Sequence, residues 1–138
     1  MSKSNESEKE HHPEIAIPIN IFCSDLGSLE AITKYLKENL GLTYSEIAAI
    51  LNRDERTIWG TYSSSREKYP EAFMQDYGSI TIPSSRFRNR NLGVLEALSF
   101  YLKQDLGLKY CQIAGLIQRD DRTVWTAISR ARRKLNEA

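Results

Sequence analysis

An internal repeat constrains this chain more than any other feature. Superimposing Leu26–Lys68 on Leu92–Lys134, an offset of 66, gives 22 identities in 43 positions. Most remaining pairs are conservative, such as Ile32 with Leu98, Ile58 with Val124 and Glu55 with Asp121. Upstream, at an offset of 65, the pattern I-P-x-x-x-F occurs twice, as Ile17-Pro18 to Phe22 and Ile82-Pro83 to Phe87. Shared helical periodicity alone does not produce identity at this level, so the chain is a duplication. Its 138 residues then divide into two very small units. A polar tail over 1–14 is expected to be disordered. The first repeat follows at 15–69, a linker with breakers Pro70 and Gly78 at 70–81, and the second repeat at 82–138.

Each repeat has the apolar spacing of three helices. The first helix spans Ser28–Leu40 and Val94–Leu106, with Leu29, Ile32, Leu36 and Leu40 (Leu95, Leu98, Leu102 and Leu106) forming one buried stripe. Gly41 and Gly107 stand where a left-handed cap would end it. Thr43-Tyr44-Ser45-Glu46 reads as a capping box for the second helix; Lys109-Tyr110-Cys111-Gln112 keeps the glutamine but loses the hydroxyl. Asn52-Arg53 and Gln118-Arg119 form the turns, and Asp54 and Asp120 are the expected N-caps of the third helix. Ile58, Tyr62 and Ser65 (Val124, Ile128 and Ala131) make its inward stripe. The predicted class is therefore all-α: two tandem three-helix units, each a helix-turn-helix preceded by an extended I-P-x-x-x-F segment. Phe22 and Phe87 are expected to anchor those segments, each to its own repeat, with strand pairing between the copies the less favoured arrangement.

The stretches GLTYSEIAAILNRDERTIW and GLKYCQIAGLIQRDDRTVW resemble region four of bacterial sigma factors and related sigma-like helix-turn-helix proteins. The resemblance covers about 43 residues per copy. Nothing resembles the other conserved regions of a full sigma factor. The resemblance implies base contacts from the first turns of the third helix, carried by Glu55, Arg56 and Gly60 in one copy and by Asp121, Arg122 and Thr126 in the other. Where that family commonly has a basic residue, this chain has Trp59 and Trp125. Both tryptophans are expected to pack between the first and third helices.

Net charge is only +1, but it is unevenly placed. Residues 1–80 hold 8 Lys/Arg against 13 Asp/Glu, whereas residues 81–138 hold 11 against 5. Phosphate attraction depends on charge within about 10 Å, so the halves matter more than the sum. In the second copy the outward strip of the third helix reads Arg122, Thr123, Thr126, Arg130 and Arg133, flanked by Arg132 and Lys134. The first copy has Arg56, Thr57, Gly60, Ser64 and Glu67 there. Arginine forks suit phosphate and guanine, and hydroxyls suit either. Arg53 and Arg119 in the turns, and Arg88 in an arm with Arg86 and Arg90, complete the candidate contacts to double-stranded DNA.

The expected function is that of a sequence-specific DNA-binding protein, a transcriptional regulator with the C-terminal repeat as main reader. Head-to-tail fusion slightly favours a direct repeat of half-sites, with the linker setting their spacing. The alternatives are an adaptor that meets RNA polymerase or another protein through the N-terminal repeat, with Tyr62 and Tyr69 exposed for it, and a non-specific chromosome-binding protein. A further homodimer stays open. No apolar run matches a membrane span or a leader peptide, giving a cytoplasmic, nucleoid-associated expectation. Cys23 and Cys111 are isolated, and His11 and His12 lie in the polar tail. Neither pair has metal-ligand spacing, and no phosphate loop or catalytic constellation is present, so no metal, cofactor or enzymatic activity is expected.

Overall fold

The computed structural model of the chain describes residues 14–74 and 80–137. The tail at 1–13, with its histidine pair, and the linker stretch 75–79 lie outside the described residues. The first repeat contains strand β1 (Ala16–Pro18), a 3-10 turn (Ile19–Cys23), and helices α1 (Ser28–Lys34), α2 (Tyr44–Leu51) and α3 (Glu55–Lys68). The second contains β2 (Thr81–Pro83), a 3-10 turn (Ser84–Phe87), and helices α4 (Val94–Gln104), α5 (Tyr110–Ile117) and α6 (Asp121–Glu137). The chain is mostly helical, as its periodicity requires, with one small sheet.

Local chemistry explains most boundaries. Gly41 and Gly107 adopt φ of +70° and +67°, the left-handed region that costs glycine little. Beside them Leu42 N–H reaches Leu36 C=O at 3.2 Å and Leu108 N–H reaches Leu102 C=O at 3.1 Å. The first helix ends sooner than its leucine spacing predicts. α1 passes into a π-turn at Tyr35–Asn39, α4 stops at Gln104, and Leu40 and Leu106 are exposed instead of extending the buried stripe. The Thr43–Glu46 box forms as expected, with Thr43 Oγ1 accepting from Glu46 N–H at 3.1 Å and Glu46 Oε1 from Thr43 N–H at 2.8 Å. At the matching place Gln112 Oε1 accepts from Lys109 N–H, and the hydroxyl half of the box is missing. Asp54 holds the N-cap position of α3 but its carboxylate makes no capping bond.

The two repeats are not beads on a flexible linker. Ile17, Phe22, Ile82 and Phe87 belong to one continuous core that runs through both copies. β1 and β2 pair antiparallel, with Ala16 opposite Pro83, Ile17 opposite Ile82 and Pro18 opposite Thr81. Ile19 N–H to Ile80 C=O (2.9 Å) and Ser84 N–H to Ile15 C=O (2.8 Å) extend the ladder at its two ends. Applying the repeat offset of 65 turns each of these two bonds into the other. The pairing is therefore isologous, with its pseudo-dyad at Ile17 and Ile82, as in a symmetric dimer made within one chain. Inter-repeat pairing, the less favoured expectation, is the arrangement found. The reason is energetic: Ile17 and Ile82 are fully buried only when each strand covers the other, a gain of about 1.5–3 kcal/mol per side chain.

The same exchange continues in the 3-10 turns. The first packs on α5 of the other repeat as well as on α1, and the second packs on α2 as well as on α4. Phe22 and Phe87 meet across the seam, ring centroids 6.2 Å apart, instead of each serving its own repeat. Two arginines at equivalent positions close it. Arg53 donates to Leu51, Phe87 and Leu92 carbonyls at 2.9–3.3 Å, and Arg119 to Ile117, Phe22 and Leu26 carbonyls at 3.0–3.3 Å. Arg88 adds bonds to the carbonyls of Ala49 and Ile50, and the Cys23 thiol, its counterpart, donates to Leu116 C=O. Glu14, expected in the disordered tail, accepts from Ser84 Oγ and from Ser85 N–H and Oγ.

The first repeat differs from the second in one buried region. Lys34 is fully buried, bonded to Glu38 at 2.6 Å, with its ammonium 5.6 Å from the Tyr69 ring and 5.8 Å from that of Phe73. Glu38 also accepts from the Tyr62 hydroxyl at 2.8 Å. Burial, that hydrogen bond and the charge of Glu38 push the Tyr62 phenol up to about 12. The second repeat has Phe100, Gln104 and Ile128 at these places. Tyr62 and Tyr69, expected as exposed contacts for a partner, are half-buried, Tyr62 with its hydroxyl on Glu38 and Tyr69 against Phe73.

Arg119→Ala should lower unfolding free energy by about 2–3 kcal/mol, because three carbonyls lose a charged donor. Urea titration checks this, and Arg53→Ala should behave alike; a change below about 0.5 kcal/mol in both would mean the clamps carry no weight.

Candidate functional site

α6 forms because Asp120 accepts from Thr123 N–H at 2.8 Å and an apolar stripe of Val124, Ala127, Ile128 and Ala131 is buried behind it. Hydrogen bonds from the Thr123 side chain and backbone, and then the Arg122 charge, hold the Asp120 carboxyl below the usual aspartate range against a small opposing effect of desolvation. Burying that stripe against α4 and α5 fixes the opposite face outward. Arg122, Thr126, Ser129 and Arg133 follow one another at spacings of four, three and four residues along that face. Arg122, Arg130 and Arg133 are exposed and have no hydrogen bond or ion pair to any other described residue. Arg132 is exposed and reaches Gln104 Oε1 at 3.4 Å. Asp121 is exposed, while Thr123 and Thr126 are half-buried at the edges of the strip.

Other candidate residues are engaged elsewhere. Lys134 donates to Glu96 at 2.8 Å, stitching α6 to the start of α4, just as Lys68 holds Glu30 at 3.0 Å in the first repeat. Burial raises the Glu96 carboxyl, but the hydrogen bonds from Lys134 and Gly93 and the charges of Lys134 and Arg130 outweigh it and leave it below the usual range. Arg53, Arg119 and Arg88 spend their donors on the carbonyls of the seam, which replaces the expectation that they face outward to DNA. The arm is not free either. Arg86 pairs with Asp105 at 2.5 Å and lies 5.0 Å from the Tyr101 ring centroid, and Arg90 stands 3.9 Å from Asp54.

On α3 the corresponding face carries exposed Glu55, Arg56, Thr57, Gly60 and Glu67. Ser64, matching Arg130, donates to Glu30 at 2.9 Å. The two helices therefore present equivalent backbones and different chemistry: α6 offers Arg122, Arg130 and Arg133 without a hydrogen bond or ion pair to a described residue, and α3 offers Arg56 and Arg66.

The tryptophans are where the expectation fails most clearly. Trp59 and Trp125 are 57% and 56% exposed, not packed between helices. The stripe itself accounts for this, since each tryptophan follows directly on the buried Ile58 or Val124 and so projects about 100° away from it. Trp125 lines a shallow groove with Tyr110, Asp121, Arg122 and Thr126. Trp59 lines another with Tyr44, Tyr62, Ser63 and Arg66. Lys103 and Lys37 sit over the outer faces of Tyr110 and Tyr44, 4.6 and 4.2 Å from the ring centroids. Among the described residues, no three His, Cys, Asp or Glu side chains come together in a metal-like cluster, and no helix is long and apolar enough to cross a membrane.

No protein-family profile, curated protein or solved structure matches the chain. Both tryptophans should emit at the solvent-exposed, red end of the indole range and be quenched readily by iodide and acrylamide. Blue-shifted, poorly quenched emission would contradict their exposure.

Proposed function

We propose that the chain binds double-stranded DNA through two helix-turn-helix units, α2–α3 and α5–α6, with α6 as the principal reader and transcriptional regulation as its use. The observation that carries this reading is the outward face of α6. Arg122 and Arg133 lie on the outward side of a helix that is fixed from behind, with exposed Arg130 on its flank beside Glu96, and none of the three has a hydrogen bond or ion pair to a described residue. Exposed guanidinium groups without a hydrogen-bonded partner are suited to phosphates and to the paired acceptors of guanine. Thr126 adds a hydroxyl, and Trp125 an apolar surface beside it that fits sugar or a thymine methyl. The left-handed Asn52 and Gln118, at φ of 57° and 55°, turn each second helix sharply into its third, the short connection a reading helix needs.

The first repeat supports a lesser share of that binding. Its face holds Glu55 and Glu67 around Arg56, which lowers local phosphate attraction. Exposed Trp59 between those acids also suits a protein partner such as a polymerase subunit, the second reading.

The double variant Arg130→Ala/Arg133→Ala should weaken duplex binding and reduce the slope of log affinity against log salt by about 0.9 for each lost phosphate contact. Fluorescence anisotropy over a salt series measures both. Unchanged affinity and slope would remove α6 from the interface, and no binding of the unaltered chain at low salt would favour the protein-adaptor reading.

A further inference from the structure

We infer that the DNA target of this chain is an inverted repeat with two unequal halves at one fixed spacing, an inference that rests on the DNA-binding reading above. It comes from the seam, not from the reading helices. The backbone register and the arginine clamps of the seam each have a partner under exchange of the repeats, whereas the Glu14 bonds to Ser84 and Ser85 and the Asn52 bond to Arg88 C=O stand outside that symmetry. Ile19 N–H to Ile80 matches Ser84 N–H to Ile15, and the strand register is symmetric about Ile17 and Ile82. Arg53 on Phe87 and Leu92 matches Arg119 on Phe22 and Leu26. A rotation by half a turn relates the two copies; no translation along the chain does so.

A two-fold rotation preserves height along its axis. α3 and α6 therefore lie at the same level on either side of the pseudo-dyad and run in opposite senses across it. Duplex DNA has dyads of its own perpendicular to its length, and a protein dyad laid on one of them meets the same sequence read inward from both sides. A direct repeat needs two modules related by translation and twist along the groove, which this seam does not provide. The expectation of a direct repeat drawn from head-to-tail fusion is thus reversed. The residues that hold the copies together, not the linker, fix the distance between the halves.

Inequality of the halves follows from the residues that break the symmetry. Thr126, Arg130 and Arg133 on α6 stand where α3 has Gly60, Ser64 and Glu67. Arg56 and Arg122, Thr57 and Thr123, and Trp59 and Trp125 are shared. Both halves should hold the shared bases read by the common residues. The half under α6 should be defined more sharply and over more positions.

The test is selection of bound duplexes from a random library by the full chain, followed by anisotropy titration of the selected duplex and of one lengthened by five base pairs between the halves. The expected product is an imperfect inverted repeat of constant spacing. Lengthening by half a helical turn should then cost at least ~10-fold in affinity, because the second half turns to the far side and its effective concentration is lost. A direct repeat, a single half-site, or binding indifferent to spacing would overturn this inference while leaving DNA binding intact. Recovery of no preferred sequence, with uniform binding to all duplexes, would overturn it as well. Absence of duplex binding at low salt would overturn the DNA reading itself.

Discussion

Three residues of strand on each side of a pseudo-dyad hold this molecule together. A two-stranded ribbon of that length is not stable in water by itself. Here Ile17 and Ile82 are fully buried in one core with Phe22 and Phe87, and two arginines bond to carbonyls of the opposite repeat. Each guanidinium satisfies three carbonyls that the 3-10 turns and short helices would otherwise leave unpaired at a half-buried seam. Without this exchange neither three-helix unit could cover its own second helix, since the 3-10 turn that caps α5 comes from the first repeat and the one that caps α2 comes from the second.

The helices were legible in the sequence because their signals are local. Spacing of leucines, the Thr43–Glu46 box and the two left-handed glycines each act within a few residues, and the structure follows them except at the ends of the first helices, where Leu40 and Leu106 are exposed. What depends on the other repeat was not legible. Arg53, Arg119 and Arg88 look the same in sequence whether they face solvent or carbonyls across a seam, and only the exchange of the I-P-x-x-x-F segments decides it. The pairing of two β-branched tripeptides around prolines is a long-range event with no local turn to announce it. Trp59 and Trp125 are a different case. A helical wheel drawn from Ile58 and Val124 places them outward, and the preference for burying tryptophan was the wrong guide there.

The candidate site was read in part. Arg122, Arg130 and Arg133 are exposed and without a hydrogen bond or ion pair among the described residues, Arg130 lying beside Glu96, while Lys134 is taken by Glu96. The duplication explains why the clamp and strand positions of the two copies stay alike while their outer faces diverge. Positions that build the seam and the cores must serve both repeats at once, so Arg53 and Arg119 or Ile17 and Ile82 stay alike. The outer faces of α3 and α6 have no such constraint. The first repeat has also replaced part of an apolar surface by the Lys34–Glu38–Tyr62 network beneath Tyr69 and Phe73, which ties down the chain as it leaves α3.

The two copies form one body through the strand seam. Native-state hydrogen exchange at the amides of Ile19 and Ser84 tests it most directly, because these donors bond only across the repeats. One body predicts that both amides exchange slowly, with protection comparable to the buried turns of α3 and α6, and that they lose it together as denaturant is added. Exchange of Ile19 and Ser84 at the rate of exposed loops, with α3 and α6 still protected, would show two separate units instead of one body.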